Sequence, residues 1–162
     1  MQVLKKAEDH MYKSKLLESK SFRSSIITSM KHALAEKSNE TEEHAERLGH
    51  LSKKIGAILS LSQNEQDELE LLSMLNDIGK IAIEDSILTK QGKLTKDEWK
   101  EIKRHPEIGY RIAQSLPELL QIAEYILSHH ERWDGKGYPQ GLKGEEIPLP
   151  ARILAVVDAY DA

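Results

Sequence analysis

Residues 69–80 read Leu69-Glu70-Leu71-Leu72-Ser73-Met74-Leu75-Asn76-Asp77-Ile78-Gly79-Lys80. Leu69, Leu72 and Leu75 recur at the helical interval, so the segment is expected to be a helix with one apolar face. Asn64 is the expected cap of that helix. The apolar run ends on Asn76 and Asp77, with Lys80 about one turn further on. An aspartate in this position has two readings: it ends or caps the helix, or it brings a charge to an interior site.

The same period extends outward in both directions. Leu4, Ala7 and Met11 share one face of a first helix, and Ile26, Met30, Ala33 and Lys37 share one face of a second. Asn39 with Glu42 marks the start of a third, whose apolar stripe is Leu48, Leu51, Ile55 and Ile58. Thr95 with Glu98 forms another capping pair, opening a short helix through Trp99 and Ile102. Pro106 and Pro117 suit the first turns of the next two helices. A final helix starts near Pro150 and runs through Ile153, Leu154 and Val157 to the chain end. No segment alternates like a strand, so the fold class is all-α. Only residues 131–148 break the pattern, with Gly135, Gly137, Pro139, Gly141 and Gly144. A loop of that length inside a small domain is functional more often than incidental.

Composition narrows the function classes. A chain of 162 residues fits one domain, or one domain with an appendage. Aromatics make up only 5% of it, so the core must rest on Leu, Ile, Ala and Val. The absence of cysteine excludes disulfides, thiolate metal sites and cysteine nucleophiles. No apolar run approaches the roughly 18 residues of a membrane span, and no leader opens the chain. A cytoplasmic location without membrane contact is therefore expected. The net charge of −4 argues against general nucleic-acid binding. It leaves a small anionic ligand open, because a local metal or lysine reverses the field.

The histidines supply the candidate chemistry. His44 extends the stripe of the third helix and should point inward, with Glu40 one turn before it. A lone inward histidine is either a satisfied core residue or a ligand. His50 falls off the stripe and should be solvated. His129 and His130 close the apolar segment Leu119, Leu120, Ile122, Ala123, Ile126 and Leu127, just before the glycine loop. Adjacent helical residues diverge by about 100°, so both rings can border one pocket. His105 precedes Pro106, which favours an extended backbone that projects its ring into a cleft. Asp158 and Asp161 lie on the last helix, where both are expected to be buried, as a polar network or as part of a site. Carboxylates gathered in one place raise each other's pKa unless a cation intervenes. Mixed imidazole and carboxylate donors suit iron, manganese, zinc or cobalt better than calcium. A carboxylate bridging two such ions would set a water between them, its pKa lowered towards neutrality, for an in-line phosphoryl transfer.

These residues fall into recognisable motifs. Asn76-Asp77-Ile78-Gly79-Lys80 resembles the HD-x-G-K signature of HD phosphohydrolases. His129-His130-Glu131-Arg132-Trp133-Asp134-Gly135-Lys136-Gly137-Tyr138-Pro139 resembles the HHE-x-x-DG-x-GYP signature of the HD-GYP subfamily. The likeness implies an HD-domain helical bundle with a long Gly-rich GYP loop over residues 38–162, cut short at its C-terminal end. Residues 1–37 would be a helical appendage. Within it, Ala7 to Lys15 resembles the closing helix of GGDEF diguanylate cyclase domains, and reads equally as an ordinary amphipathic helix.

The resemblance also implies roles. Metal ligands would be Glu40, His44, Asp77, His105, His129, His130 and Asp158. Asp77 would bridge two ions, and Glu40 would serve a third ion found in some members. Lys80 would contact a phosphate or the bridging water. Gly137 and Tyr138, with Pro139, would shape the loop on the substrate side, where Asp161 is also placed. The implied cofactors are divalent transition ions, iron or manganese first, with zinc, cobalt and nickel next. Two ions are expected, with one or three as the alternatives. The implied ligand is cyclic di-GMP, hydrolysed to linear dinucleotide or mononucleotides. GGDEF or sensor domains of a parent protein and a second copy of the chain are the implied partners.

Two departures stand out. Asn76 replaces the histidine of the HD pair, and an amide oxygen is a poorer transition-metal ligand than imidazole. An ion held by His44, Asp77 and Asp158 would then lack a nitrogen donor. Members of the family also continue past the Asp158 helix with basic residues that hold phosphates, whereas this sequence stops at Ala162. The expected function is therefore a metal-dependent cyclic dinucleotide phosphodiesterase. Two alternatives stand beside it. One is a degenerate sensor or interaction module, supported by Asn76. The other is a phosphohydrolase acting on other nucleotides, disfavoured by the GYP loop. The Asn76 side chain is expected to face the same cavity as His44.

Overall fold

Side-chain caps set where the helices begin. In the computed structural model, which describes residues 24–38 and 41–161, Thr41 rather than Asn39 caps the helix that opens at Glu42, its hydroxyl accepting from the His44 N–H. Asn39 and Glu40 lie outside the described residues, as does the helix expected around Leu4 to Met11. Ser62, not Asn64, caps the next helix through a reciprocal box with Glu65. Asn64 sits in its first turn and donates to Glu68 at 2.8 Å. Ser62 takes the position because its backbone is extended, as a cap requires, and Glu65 is three residues on. Thr95 and Glu98 form the box expected of them.

The described elements are α1 (residues 24–37), α2 (Glu42–Ile58), α3 (Gln63–Leu75), a 3₁₀ turn (Ile78–Ala82), α4 (Asp85–Leu88), α5 (Lys96–Ile102), α6 (His105–Ser115), α7 (Ala123–Ser128) and α8 (Leu149–Asp161). Two further 3₁₀ turns span Leu120–Ile122 and Gly144–Glu146. Among the described residues there is no strand, only one isolated bridge between Asp134 and Lys143 in the loop. The all-α expectation holds.

The core follows the leucine repeat. Leu69, Leu72 and Leu75 are completely buried, with Leu48, Ile78, Leu119, Ile122, Ile126 and Leu154 around them. Their side chains lock α3 between α2 and α8, while α6 packs on α7 and on the 3₁₀ turn after α3. Three expectations shift. On α1 the buried face runs through Ile27, Met30 and Leu34 rather than Ala33. The α2 stripe ends at Ile55, because Ile58 lies in the last turn and is 81% exposed. The segment from Pro117 to Leu127 is a turn, a 3₁₀ turn and a short helix instead of one helix, which leaves Leu120 exposed.

One contact places the functional end of the molecule. A Cβ on Gly79 would lie 1.9 Å from the His105 carbonyl oxygen and 2.7 Å from the Gly109 nitrogen. Only glycine lets the 3₁₀ turn press against the first turn of α6, and that contact brings Asp77 beside His105. Gly79→Ala must therefore push backbone against backbone. We expect a loss of about 3 kcal/mol, the upper end of overpacking effects, read from the urea midpoint. A variant within about 0.5 kcal/mol of the parent, the range of an ordinary surface change, would show that the close approach is not required.

Candidate metal centre

Four side chains from three separate segments meet at one end of the bundle. Asp77 follows α3, His105 opens α6, and His129 and His130 follow α7. One ligand atom from each of the four lies within 4.8 Å of every other. His105 Nε2 is 2.9 Å from Asp77 Oδ1, and His129 Nε2 is 3.7 Å from the same oxygen. The two Nε2 atoms are 3.3 Å apart. The His130 ring lies 4.0 Å from that of His129 and 4.9 Å from that of His105, centroid to centroid. Asp77, His105 and His129 are buried, and His130 is partly so.

His105 reaches this place differently from the sequence expectation. It is not extended: it is the first residue of α6, with Pro106 in the opening turn, where proline's missing N–H needs no partner. Its ring is oriented by the backbone instead. His105 Nδ1–H donates to the Ile102 carbonyl at 2.7 Å, and His129 Nδ1–H donates to the Ile126 carbonyl at 2.6 Å. Each ring gives its proton to a carbonyl and turns the Nε2 lone pair inward. That is the orientation seen in metal-bound histidines, whose other nitrogen donates to a carbonyl or carboxylate.

The inward face thus holds acceptors only. Two Nε2 lone pairs point at Asp77 Oδ1, which is fully buried and accepts no hydrogen bond. Burial pushes the Asp77 carboxyl up, but its charged and polar neighbours, the Lys80 ammonium among them, hold it well below the usual carboxylate range. It is a carboxylate at neutral pH. Burial pushes the His130 imidazole down to about 2, so it too presents a lone pair. The Oδ1 side of this buried carboxylate has no hydrogen-bond partner and faces imidazole nitrogens, a donor set that a divalent transition ion fits. The other Asp77 oxygen is satisfied: Oδ2 accepts from Asn76 Nδ2 at 3.2 Å and lies 3.2 Å from Lys80 Nζ.

His44 and Asp158 do not fall within that 4.8 Å group, and Glu40 lies outside the described residues. His44 Nδ1–H donates to Asp161 Oδ2 at 2.7 Å, and His44 Nε2 lies 3.5 Å from Asp158 Oδ1. Arg47 holds Asp161 through contacts of 2.8–3.1 Å. Asp158 is not buried as expected: its side chain is 48% exposed, because it lies on the edge of α8 rather than on the face carrying Ile153, Leu154 and Val157. Asp161 is largely covered, under Arg47. His50 is exposed, as its position off the stripe implied. His44 and Asn76 do line one cavity, of about 20 Å³, enough for a single water.

The glycine loop is fastened to the histidines. A Cβ on Gly137 would come within 2.4–2.6 Å of backbone atoms of His130, Glu131 and Arg132, so the loop folds back on its own root only with glycine there. Tyr138 N–H donates to the His130 carbonyl, and its ring stacks on the His130 ring at 4.8 Å. Burial, then the Asp77 charge, pushes the Tyr138 hydroxyl up to about 12, so it remains a donor. The Lys103 ammonium sits 4.9 Å from the Tyr138 ring centroid. Sequence reasoning gave no role to Glu131, whose buried Oε1 accepts from the Gln140 and Gly141 N–H groups at 2.6 and 3.0 Å. Its signal was an acidic residue between two histidines and a glycine loop. Lys103 and the carbonyls of Ile102 and Ile126 carried no signal of this kind.

Known proteins of similar sequence share this region. The model of a family described as "HD domain" matches residues 28–162. The chain is 45% identical to the cyclic di-GMP phosphodiesterase response regulator RpfG of Xanthomonas campestris, over 84% of this chain and 36% of that protein. It is 48% identical to a cyclic di-GMP phosphodiesterase of Thermotoga maritima, over 76% of this chain and 34% of the relative. It is 39% identical to the 3'3'-cGAMP-specific phosphodiesterase 2 of Vibrio cholerae, over 85% of this chain and 27% of that protein. The chain therefore spans about a third of the length of these curated relatives.

The Glu131 anchor is open to a direct check. Glu131→Ala removes two hydrogen bonds to a charged acceptor, each worth about 1.5–3 kcal/mol. We expect proteolytic cleavage within residues 132–147 to accelerate by at least about tenfold while helix content by circular dichroism is unchanged. Cleavage at the parent rate would mean that Glu131 does not hold the loop.

Proposed function

The chain belongs to the HD domain family, and from that membership we propose that it is an HD-GYP-type, metal-dependent phosphodiesterase acting on cyclic dinucleotides, cyclic di-GMP foremost. The observation that carries the reading is the buried, unpartnered Asp77 Oδ1 facing two histidine lone pairs. Asp77, His105, His129 and His130 would hold the ion, with iron or manganese the best match and zinc, cobalt or nickel the other occupants. A divalent ion there supplies an activated water and neutralises the oxygens of the phosphoryl group under attack.

The chain's own groups do the rest. Lys80, held beside Asp77 Oδ2, adds a positive charge next to the ion site and is placed to meet a phosphate oxygen. Tyr138 closes one side of the site, packed on His130, with its hydroxyl as a neutral donor. Gly137 lets the loop lie that close, and we assign both residues to the substrate side. Asp161 is assigned to holding His44 and Arg47, because its oxygens already have those partners. His44 and Asp158 form the outlying part of the proposed ligand set, to which the motif adds Glu40.

The relatives support the substrate class, since they are named for cyclic di-GMP and for 3'3'-cGAMP. Their greater length supports a parent protein in which a GGDEF or sensor domain accompanies this one. No helix among the described residues is long and apolar enough to cross a membrane, which agrees with a cytoplasmic signalling role.

The test is hydrolysis of cyclic di-GMP and 3'3'-cGAMP by the purified, manganese- or iron-loaded chain. We expect turnover that chelator abolishes, slower than the roughly 1–1000 per second of ordinary enzymes, because Asn76 weakens the donor set. His129→Ala with His130→Ala should remove most bound metal by elemental analysis. A metal-loaded, folded chain that binds cyclic dinucleotide without cleaving it would favour the degenerate sensor instead.

A further inference from the structure

We infer that this chain holds one transition-metal ion rather than a pair, and that Asn76 sets that number. The inference rests on the metal-centre reading above and deepens it. It follows from which donor atoms are unsatisfied. Ligand atoms of Asp77, His105, His129 and His130 converge within 4.8 Å, and the Nδ1 protons of His105 and His129 are tied to carbonyls. This set is largely buried and oriented, and Asp77 Oδ1 within it has no hydrogen-bond partner. It is complete for one ion.

A second ion would need Asp77 Oδ2 as a shared ligand. That oxygen already has the Asn76 amide at 3.2 Å and the Lys80 ammonium at 3.2 Å. A carboxylate accepts and cannot donate, so the amide must turn its NH₂ towards Oδ2. Asn76 therefore presents a donor proton to Asp77 where a metal ligand would present a lone pair. Lys80 adds a full positive charge on the same oxygen, which opposes a nearby cation.

Among the described residues only two donors stand beyond Asn76. His44 Nε2 and Asp158 Oδ1, 3.5 Å apart, are oriented as a ligand pair, with His44 Nδ1 tied to Asp161. Among the described residues no third Asp, Glu or His ligand atom joins them within 4.8 Å. Asp161 is engaged by Arg47, and the Asp158 side chain is 48% exposed. Two donors open to water hold a hydrated divalent ion weakly beside a buried set of four. The cavity shared by His44 and Asn76, about 20 Å³, has room for a water and lies where the larger imidazole of an Asn76→His variant would extend.

The test counts ions without reference to turnover. The full chain is stripped with chelator and titrated with Mn(II), reading bound metal by elemental analysis and the spin state by electron paramagnetic resonance. We expect one tightly bound equivalent and the hyperfine sextet of an isolated Mn(II). His44→Ala should leave that equivalent in place, whereas His105→Ala should weaken it by more than about tenfold. Asn76→His should add a second equivalent and an exchange-coupled signal. Two tight equivalents in the unmodified chain, or loss of an equivalent in His44→Ala, would overturn the inference. A folded Asn76→His variant that still takes one equivalent would remove Asn76 from the role. One equivalent without hydrolysis of any cyclic dinucleotide would sink the proposed activity and leave the count standing, and two equivalents with hydrolysis would do the reverse.

Discussion

Three acceptors face one another in the interior, and the rest of the molecule is arranged around that repulsion. Asp77 Oδ1 and the Nε2 atoms of His105 and His129 lie 2.9–3.7 Å apart with no proton between them once both Nδ1–H groups are given to carbonyls. Left alone, such a cluster opposes folding, because Lys80 and Asn76 reach only Oδ2 of the Asp77 carboxylate and Oδ1 stays buried without a partner. A bound cation converts the same geometry into an attraction. Folding and metal binding are then coupled, as in other sites whose ligands are assembled only by the fold.

Backbone contacts hold the cluster in place. Gly79 lets the turn after α3 rest on the His105 carbonyl, which fixes the distance between Asp77 and α6. The carbonyls of Ile102 and Ile126 orient two imidazoles without any further side chain. Gly137 lets the loop return to the root of His130, and Glu131 ties its far side through two N–H groups. Small residues and main-chain acceptors thus do the positioning. The bulky apolar residues of α2, α3 and α8 supply the rigid body on which that positioning relies.

This division explains what was legible in the sequence. The leucine repeat of α3 announced both the helix and its buried face, because periodicity is a direct imprint of burial. The motif residues announced the cluster, since Asp77, His105, His129 and His130 are chemically conspicuous. Caps were less legible: Asn64 has the right chemistry, but Ser62 has the extended backbone, and only the fold decides between such neighbours. His105 kept an α-helical conformation despite the proline after it, because helix-opening positions tolerate what helix interiors do not. The separation of His44 and Asp158 from the main cluster was illegible. It depends on tertiary distances and on how Arg47 engages Asp161, and no spacing in the sequence encodes either.

The central claim is that the unpartnered oxygen of Asp77 is a metal ligand. Anomalous diffraction from crystals of the metal-loaded chain, recorded at the absorption edge of the bound ion, tests it most directly. The account predicts a peak within about 2.0–2.3 Å of Asp77 Oδ1 and of the Nε2 atoms of His105 and His129. Density that places no ion there, with His105 Nε2–H instead donating to Asp77 Oδ1, would contradict it.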